Sequence, residues 1–569
     1  MRLRLCLLAL AACSSSSSGP GSSHPGALPP SPLSYGAAGI DLAGMDRAVA
    51  PGNDFFAYAN GAWAKATEIP ADRGSYGTGQ QVEELTTQRT SALIADAARS
   101  APAGSEAQQI GDYYASVLDQ DAIDKQGLAP IQPELDRIAK LTDGRALSAY
   151  LGSTLRADVD VLNATNYDTE HLFGLWIAQD LNDPSRYAAF LLQGGLGLPD
   201  RDYFLDASPR MAETRDAYRA HIAAILKLAG IADPDAKAGR IFELEHKLAQ
   251  AHGARGDTEN VEKGNNHWPR AELDRRAPGI DWPALLAAAG LDRQPVFVIW
   301  QPAAVTGIAA LVKSEPLEVW KDYLTFHAIN GMARVLPRAF DDAHFAFYGK
   351  QLSGIQAQRE RWKRAVDDTS AALGMAVGKL YVEHYFPASE KARVEQMVKN
   401  ELAAFARRID NLAWMAPATK ARAKAKLAAL KVGVGYPDTW RDYRSLKVVR
   451  GDAFGNLQRA ERFELQRNLA KLGTPVDRSE WVMNPQLVNA VNLPAMNALN
   501  FPAAILQPPY FDPARPIAMD YGATGAVIGH EISHSFDDQG ALFDATGKLE
   551  NWWTPEDFAH FKASSQQLI

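Results

Sequence analysis

Residues 527–540 read VIGHEISHSFDDQG, with His530 and His534 four positions apart and Glu531 beside the first. A helix turns about 100° per residue, so positions four apart stack on one face and two imidazoles there can meet one cation. Zinc in a catalytic site takes three protein ligands and leaves a position for water. A carboxylate next to the first ligand can accept the proton of that water as it attacks a carbonyl. The H-E-x-x-H pattern packages two ligands and a base in one turn. The preceding residues 522–529, GATGAVIG, are small and apolar, as a buried helix carrying an inward-facing site requires. The competing reading is an ordinary helix with two satisfied core histidines and a solvated glutamate. His171, His221, His246, His252, His267, His327, His344, His384 and His560 have no partner at ligand spacing and read as structural.

Around this stretch, a chain of 569 residues is too long for a single core and is expected to fold as about two to four units. Its 46% apolar and 22% charged residues supply a buried interior and give no sign of general disorder. A net charge of -8 and a pI near 5.9 argue against a nucleic-acid surface, which needs clustered Lys and Arg. The basic run KARAKAKLAALK, residues 420–431, reads as the solvated face of a helix.

The amino terminus, MRLRLCLLALAACSSSSSG, places Arg2 and Arg4 before a short apolar run from Leu5 to Ala12, the plan of a secretory signal over residues 1–12. The run is too short to span a bilayer. Leu10-Ala11-Ala12-Cys13 resembles the lipobox of bacterial lipoproteins, with Cys13 as the lipidated first residue and residues 13–38 as a Ser/Pro/Gly tether. This predicts an exported protein, anchored through lipid to a membrane facing the periplasm, most simply the outer membrane. Both cysteines, Cys6 and Cys13, lie in this leader, so disulfides play no part in the expected fold.

The predicted fold is mainly α. A large helical domain is expected over residues 39–440, a connecting layer over 441–488 and an α+β catalytic domain over 489–569. The segment TRDAYRAHIAAILKLAG predicts a helix closed by Gly230, and ARVEQMVKNELAAFARRIDNLAWM repeats apolar residues at three- and four-residue steps. Phe55, Phe56, Tyr58 and Trp63 predict a helix packed on a core. The best strand candidates are QPVFVIW, residues 294–300, and LNFPAAILQ, residues 499–507, the second with Pro502 suggesting an edge position.

Taken together, NAVNLPAMNALNFPAAILQPPYFD, then VIGHEISHSFDDQGALFDATGKLENWWTPED, resemble the neprilysin family of zinc endopeptidases, in its bacterial oligopeptidase branch. Upstream, PGNDFFAYANGAW, EIPADRGSYG, GGLGLPDRDYFLD, LGMAVGKLYVEHYFP, LAWMAPATKARAKAKL and GYPDTWRDY are similar to the family in the same order. The resemblance runs from about residue 39 onward. It implies a helical domain roofing a thermolysin-like catalytic domain, and hydrolysis of internal bonds in short oligopeptides. It implies His530 and His534 as ligands of one Zn2+, Glu531 as catalytic base, and Asn489 and Ala490 as binders of the substrate backbone. Asp537 or Asp538 would orient a ligand histidine from behind. Two departures accompany it. Val491 and Asn492 stand where the family has aromatics. The Glu-x-x-x-Asp helix that supplies the third ligand does not occur among the 35 residues after His534, and its glutamate is expected beyond Ile569. Glu550 and Glu556 lie at a spacing used by thermolysin-like enzymes, but in a loop without a ligand role in this family. The expectation is therefore a truncated chain with little activity of its own. The rival is a surface-anchored, non-catalytic peptide-binding protein.

Overall fold

A computed structural model describes residues 40–163 and 166–567. The expected signal, Cys13 and the whole of the tether lie outside the described residues. Helices begin where a side-chain oxygen takes up a free backbone N–H. Asp54, Ser105, Asp143 and Asp281 cap the helices Phe55–Ala66, Glu106–Leu118, Gly144–Thr154 and Trp282–Ala289 in this way. The Pro209–Leu228 helix stops at Gly230, whose φ of 71° and N–H bond to Lys227 O make the left-handed cap its sequence predicts.

Among the described residues the fold is mainly helical, with two small sheets. In the first part of the chain, β1 (Phe173–Gln179), β2 (Tyr187–Gln193), β3 (Asn266–Pro269) and β4 (Val296–Ile299) form a sheet ordered β1-β2-β4-β3. β2 and β4 run parallel, and the two outer pairs are antiparallel. Helices wrap this sheet, and Leu175, Leu191, Phe297, Ile222, Leu244 and Trp320 share one core. The helix Gly144–Thr154 crosses Trp282–Ala289 so closely that a Cβ on Gly152 would lie 2.0 Å from Leu285 O. Only a glycine allows that approach.

The second sheet is ordered β5-β7-β6, from β5 (Lys431–Gly435), β6 (Val491–Leu493) and β7 (Ala498–Pro502). β5 lies parallel to β7 and β6 antiparallel to it. β5 belongs to the stretch expected to be helical up to residue 440, so this sheet joins chain from both sides of residues 441–488. Its Leu499 and Phe501 pack with Ile528 and Ile532 of the His530-bearing helix and with Val394, Leu427 and Trp552.

Three expectations are corrected. The strand containing Pro502 is central, not at an edge. Pro502 is its last residue, where the missing N–H breaks no continuing ladder and the chain turns into Ala503–Ile505. The Phe55–Ala66 helix forms, but Phe55 and Phe56 do not pack on a core: they are 69% and 72% exposed, while Tyr58 and Trp63 are half-buried and Gly61 is buried. The basic run 420–431 is not uniformly solvated. Lys426 is 1% exposed, because it lies on the same face as buried Thr419, Ala423 and Leu427 of the Pro417–Ala429 helix.

Candidate metal centre

The chain enters the site through a π turn, Tyr521–Gly525, which runs directly into the helix Ala526–His534. Ile528 and Ile532 anchor one face of that helix in the core. His530 and His534 project from the other face and are exposed, while Glu531 between them is buried, 7% exposed. The two imidazoles converge, with Nε2 of His534 3.0 Å from Nε2 of His530 and the rings nearly perpendicular. His530 Nε2 also lies 4.0 Å from Glu531 Oε1. Burial raises the Glu531 carboxyl above its ordinary value, against the opposing pull of His530 and His534.

Asp537 Oδ2 lies 2.8 Å from His534 Nδ1. A carboxylate there accepts, so Nδ1 carries the proton and Nε2 presents its lone pair toward His530. The other oxygen of Asp537 accepts from the N–H groups of Gln539 (3.1 Å) and Gly540 (2.7 Å), which fixes the carboxylate against the turn that ends the helix. Asp538 takes no part: it is exposed and its oxygen meets only the Gln539 amide, at 3.4 Å.

Asn489 and Ala490 immediately precede β6, the edge strand of the second sheet. The Asn489 side chain is exposed and its oxygen accepts from Ala490 N–H at 2.9 Å, closing a turn at the strand's entrance. Two residues on, Asn492 donates to the carbonyl of Glu531 (2.8 Å) and to Ser535 Oγ (2.9 Å). Asn492 thus ties the edge strand to the last turn of the histidine-bearing helix. Sequence reading registered it only as a departure from an aromatic, and no local pattern announces the contact across 39 residues.

Two nitrogens bound to one tetrahedral zinc at 2.0–2.1 Å lie about 3.3 Å apart. The observed 3.0 Å separation, with the lone pair of at least one ring pointing into the gap, fits that arrangement. Among the described residues no group of three or more His, Cys, Asp or Glu is placed to hold a metal. Glu550 instead pairs with Arg422 and Lys548, and Glu556 is exposed in the first turn of Pro555–Gln566. The remaining histidines with close polar partners serve the fold. His221 meets Asn330, His252 the Gly194 carbonyl, His267 Asp180 and His327 Glu245.

Sequence profiles of Peptidase family M13 match residues 51–437 and 489–569. The crystal structure of Mycobacterium tuberculosis zinc metalloprotease ZMP1 in complex with an inhibitor superposes with a TM-score of 0.86 at 40% identity, over 93% of this chain and 79% of that one. PepO from Lactobacillus rhamnosis superposes with a TM-score of 0.79 at 25% identity, over 91% of this chain and 81% of that one. Endothelin-converting enzyme-like 1 of Mus musculus is 29% identical over 578 residues, covering 99% of this chain and 74% of its own. Matches that span both the helical part and the stretch holding the histidine pair carry the assignment further than the five-residue pattern does alone. The chain belongs to peptidase family M13 and is a zinc metalloendopeptidase related to neprilysin and the endothelin-converting enzymes.

Proposed function

We propose that His530 and His534 are two of the zinc ligands and that Glu531 is the general base for hydrolysis of internal bonds in short peptides. The observation that carries this is the convergence of two Nε2 atoms 3.0 Å apart beside a buried carboxylate. Bound there, zinc supplies Lewis acidity that polarises the scissile carbonyl and acidifies a water. Glu531 accepts the proton of the attacking water and delivers it to the leaving amine. Its burial suits that task, since a desolvated carboxylate binds a proton more readily than one in water. Asp537 holds the His534 ring in one tautomer and orientation. An extended peptide adds to the outer edge of β6, where the main chain supplies hydrogen bonds and the Asn489 amide lies within reach of its backbone. The helical part limits entry to oligopeptides.

Two imidazoles alone hold zinc weakly. We propose that an acidic third ligand completes the site. Export and lipid attachment at Cys13 are part of the proposal, supported by the leader pattern of residues 1–13. Incorporation of labelled fatty acid that disappears in Cys13→Ala tests that point. The catalytic reading is tested with a quenched peptide at high enzyme concentration and zinc in excess. Hydrolysis at an internal bond that is lost in Glu531→Gln supports it. Peptide binding with no zinc-dependent cleavage, or cleavage unchanged in Glu531→Gln, refutes it.

A further inference from the structure

Behind the histidine pair, one buried cation holds the turn that carries Asp537. Lys426 Nζ donates to the carbonyls of Gly540 and Phe543, at 2.7 Å each, and lies 5.7 Å above the Trp552 ring. Gly540 O also accepts from Trp552 Nε1 at 3.2 Å. The same residue, Gly540, donates its N–H to Asp537, and its Cα is pressed against the end of the helix, where an added Cβ would lie 2.2 Å from His534 O. The links therefore run without a gap from Lys426 through Gly540 and Asp537 to His534 Nδ1.

An ammonium group almost wholly out of water is costly, and a methionine of similar length would fill the space without that penalty. Burial pushes Lys426 down to about 7, against the opposing pull of Asp537 and Asp544. What the amine provides and a thioether cannot is donation to two carbonyls at once. We propose that Lys426 is a positioning residue for the metal centre, which fixes the Gly540 turn and through it the Asp537 carboxylate that orients His534. This rests on the reading of His530 and His534 as zinc ligands.

The test uses the full chain, with Zn2+ alone as probe in competition with a chelator, on wild type, Lys426→Met, Asp537→Ala and the double variant. Loss of a group that supports a ligand histidine weakens metal binding by about 10–100-fold. Lys426→Met is expected to weaken zinc binding about tenfold. In the Asp537→Ala background the same substitution is expected to change it less than twofold, because the link it acts through is gone. In metal-free protein, hydrogen exchange over residues 535–543 is expected to speed up at least tenfold in Lys426→Met. Trp552→Phe removes one donor from the same carbonyl and tolerates the pocket better. It is expected to weaken binding two- to threefold, which keeps the test available if Lys426→Met does not fold. Zinc binding that needs the histidine pair but is unchanged in Lys426→Met and Trp552→Phe overturns this inference alone. So does a loss of the same size with and without Asp537. Zinc binding that survives His530→Ala and His534→Ala together overturns the underlying assignment as well.

Discussion

Replacing Asn492 by Ala should loosen the histidine-bearing helix from the edge strand β6, by an amount the geometry sets. The side chain makes two hydrogen bonds, 2.8 Å to Glu531 O and 2.9 Å to Ser535 Oγ. Each is worth about 1 kcal/mol net, so about 2 kcal/mol of local stability is at stake. At 1.4 kcal/mol per tenfold, that is roughly a 30-fold rise in the open population of the helix end. Asn492 is half-buried, so water entering the gap recovers part of the loss and the effect should not fall below about tenfold. Hydrogen exchange of the amides in residues 526–535, in metal-free protein at pH 7, reads this directly. Asn492→Asp should be at least as damaging, since it faces the Glu531 carbonyl with oxygen in place of N–H. Exchange within threefold of wild type in both variants would show that the strand does not hold the helix.

The buried imidazoles set an acid limit. His221 and His252 are held down to about 4 by burial, from an ordinary 6.5. At these two residues the unfolded chain therefore binds more protons than the native one between those values, and their contribution to stability is full above pH 6.5 and lost as pH falls toward 4. The loss is about 3 kcal/mol for each residue. Urea midpoints recorded from pH 7 to 4.5 should drop accordingly, and His221→Gln should flatten the slope. An unaltered slope in that variant would count against its being buried as neutral imidazole. Gly152→Ala forces a methyl into the Leu285 carbonyl, and a clash between two backbones relaxes poorly. It should cost about 2–3 kcal/mol in urea unfolding, and a loss below 0.5 kcal/mol would mean that the two helices are not in close contact.

The histidine-bearing helix was legible in sequence because its whole geometry is local: two ligand candidates and a base lie within one turn. Asp537 was legible as one of a pair, since it follows His534 by three residues, but only the turn at Gly540 decides between it and Asp538. β1 and β2 escaped notice because both faces are buried. FGLWIAQ and YAAFLLQ are continuous apolar runs with no alternation to separate them from helix. Pro502 misled because the rule against proline in central strands concerns strand interiors, and this proline closes one. Asn492 and Lys426 act across 39 and 114 residues, where only the folded chain brings partners together. For Lys426 a signal did exist in its three-residue offset from Ala423, yet the surrounding charges pointed to a solvated face.

Titration of the metal-stripped chain with Zn2+, in wild type, Glu531→Gln and the double variant His530→Ala/His534→Ala, shows whether the two imidazoles hold the metal. A single site of equal affinity is expected in wild type and Glu531→Gln, and its loss when both imidazoles are removed. Zinc bound just as tightly without the two histidines would contradict it.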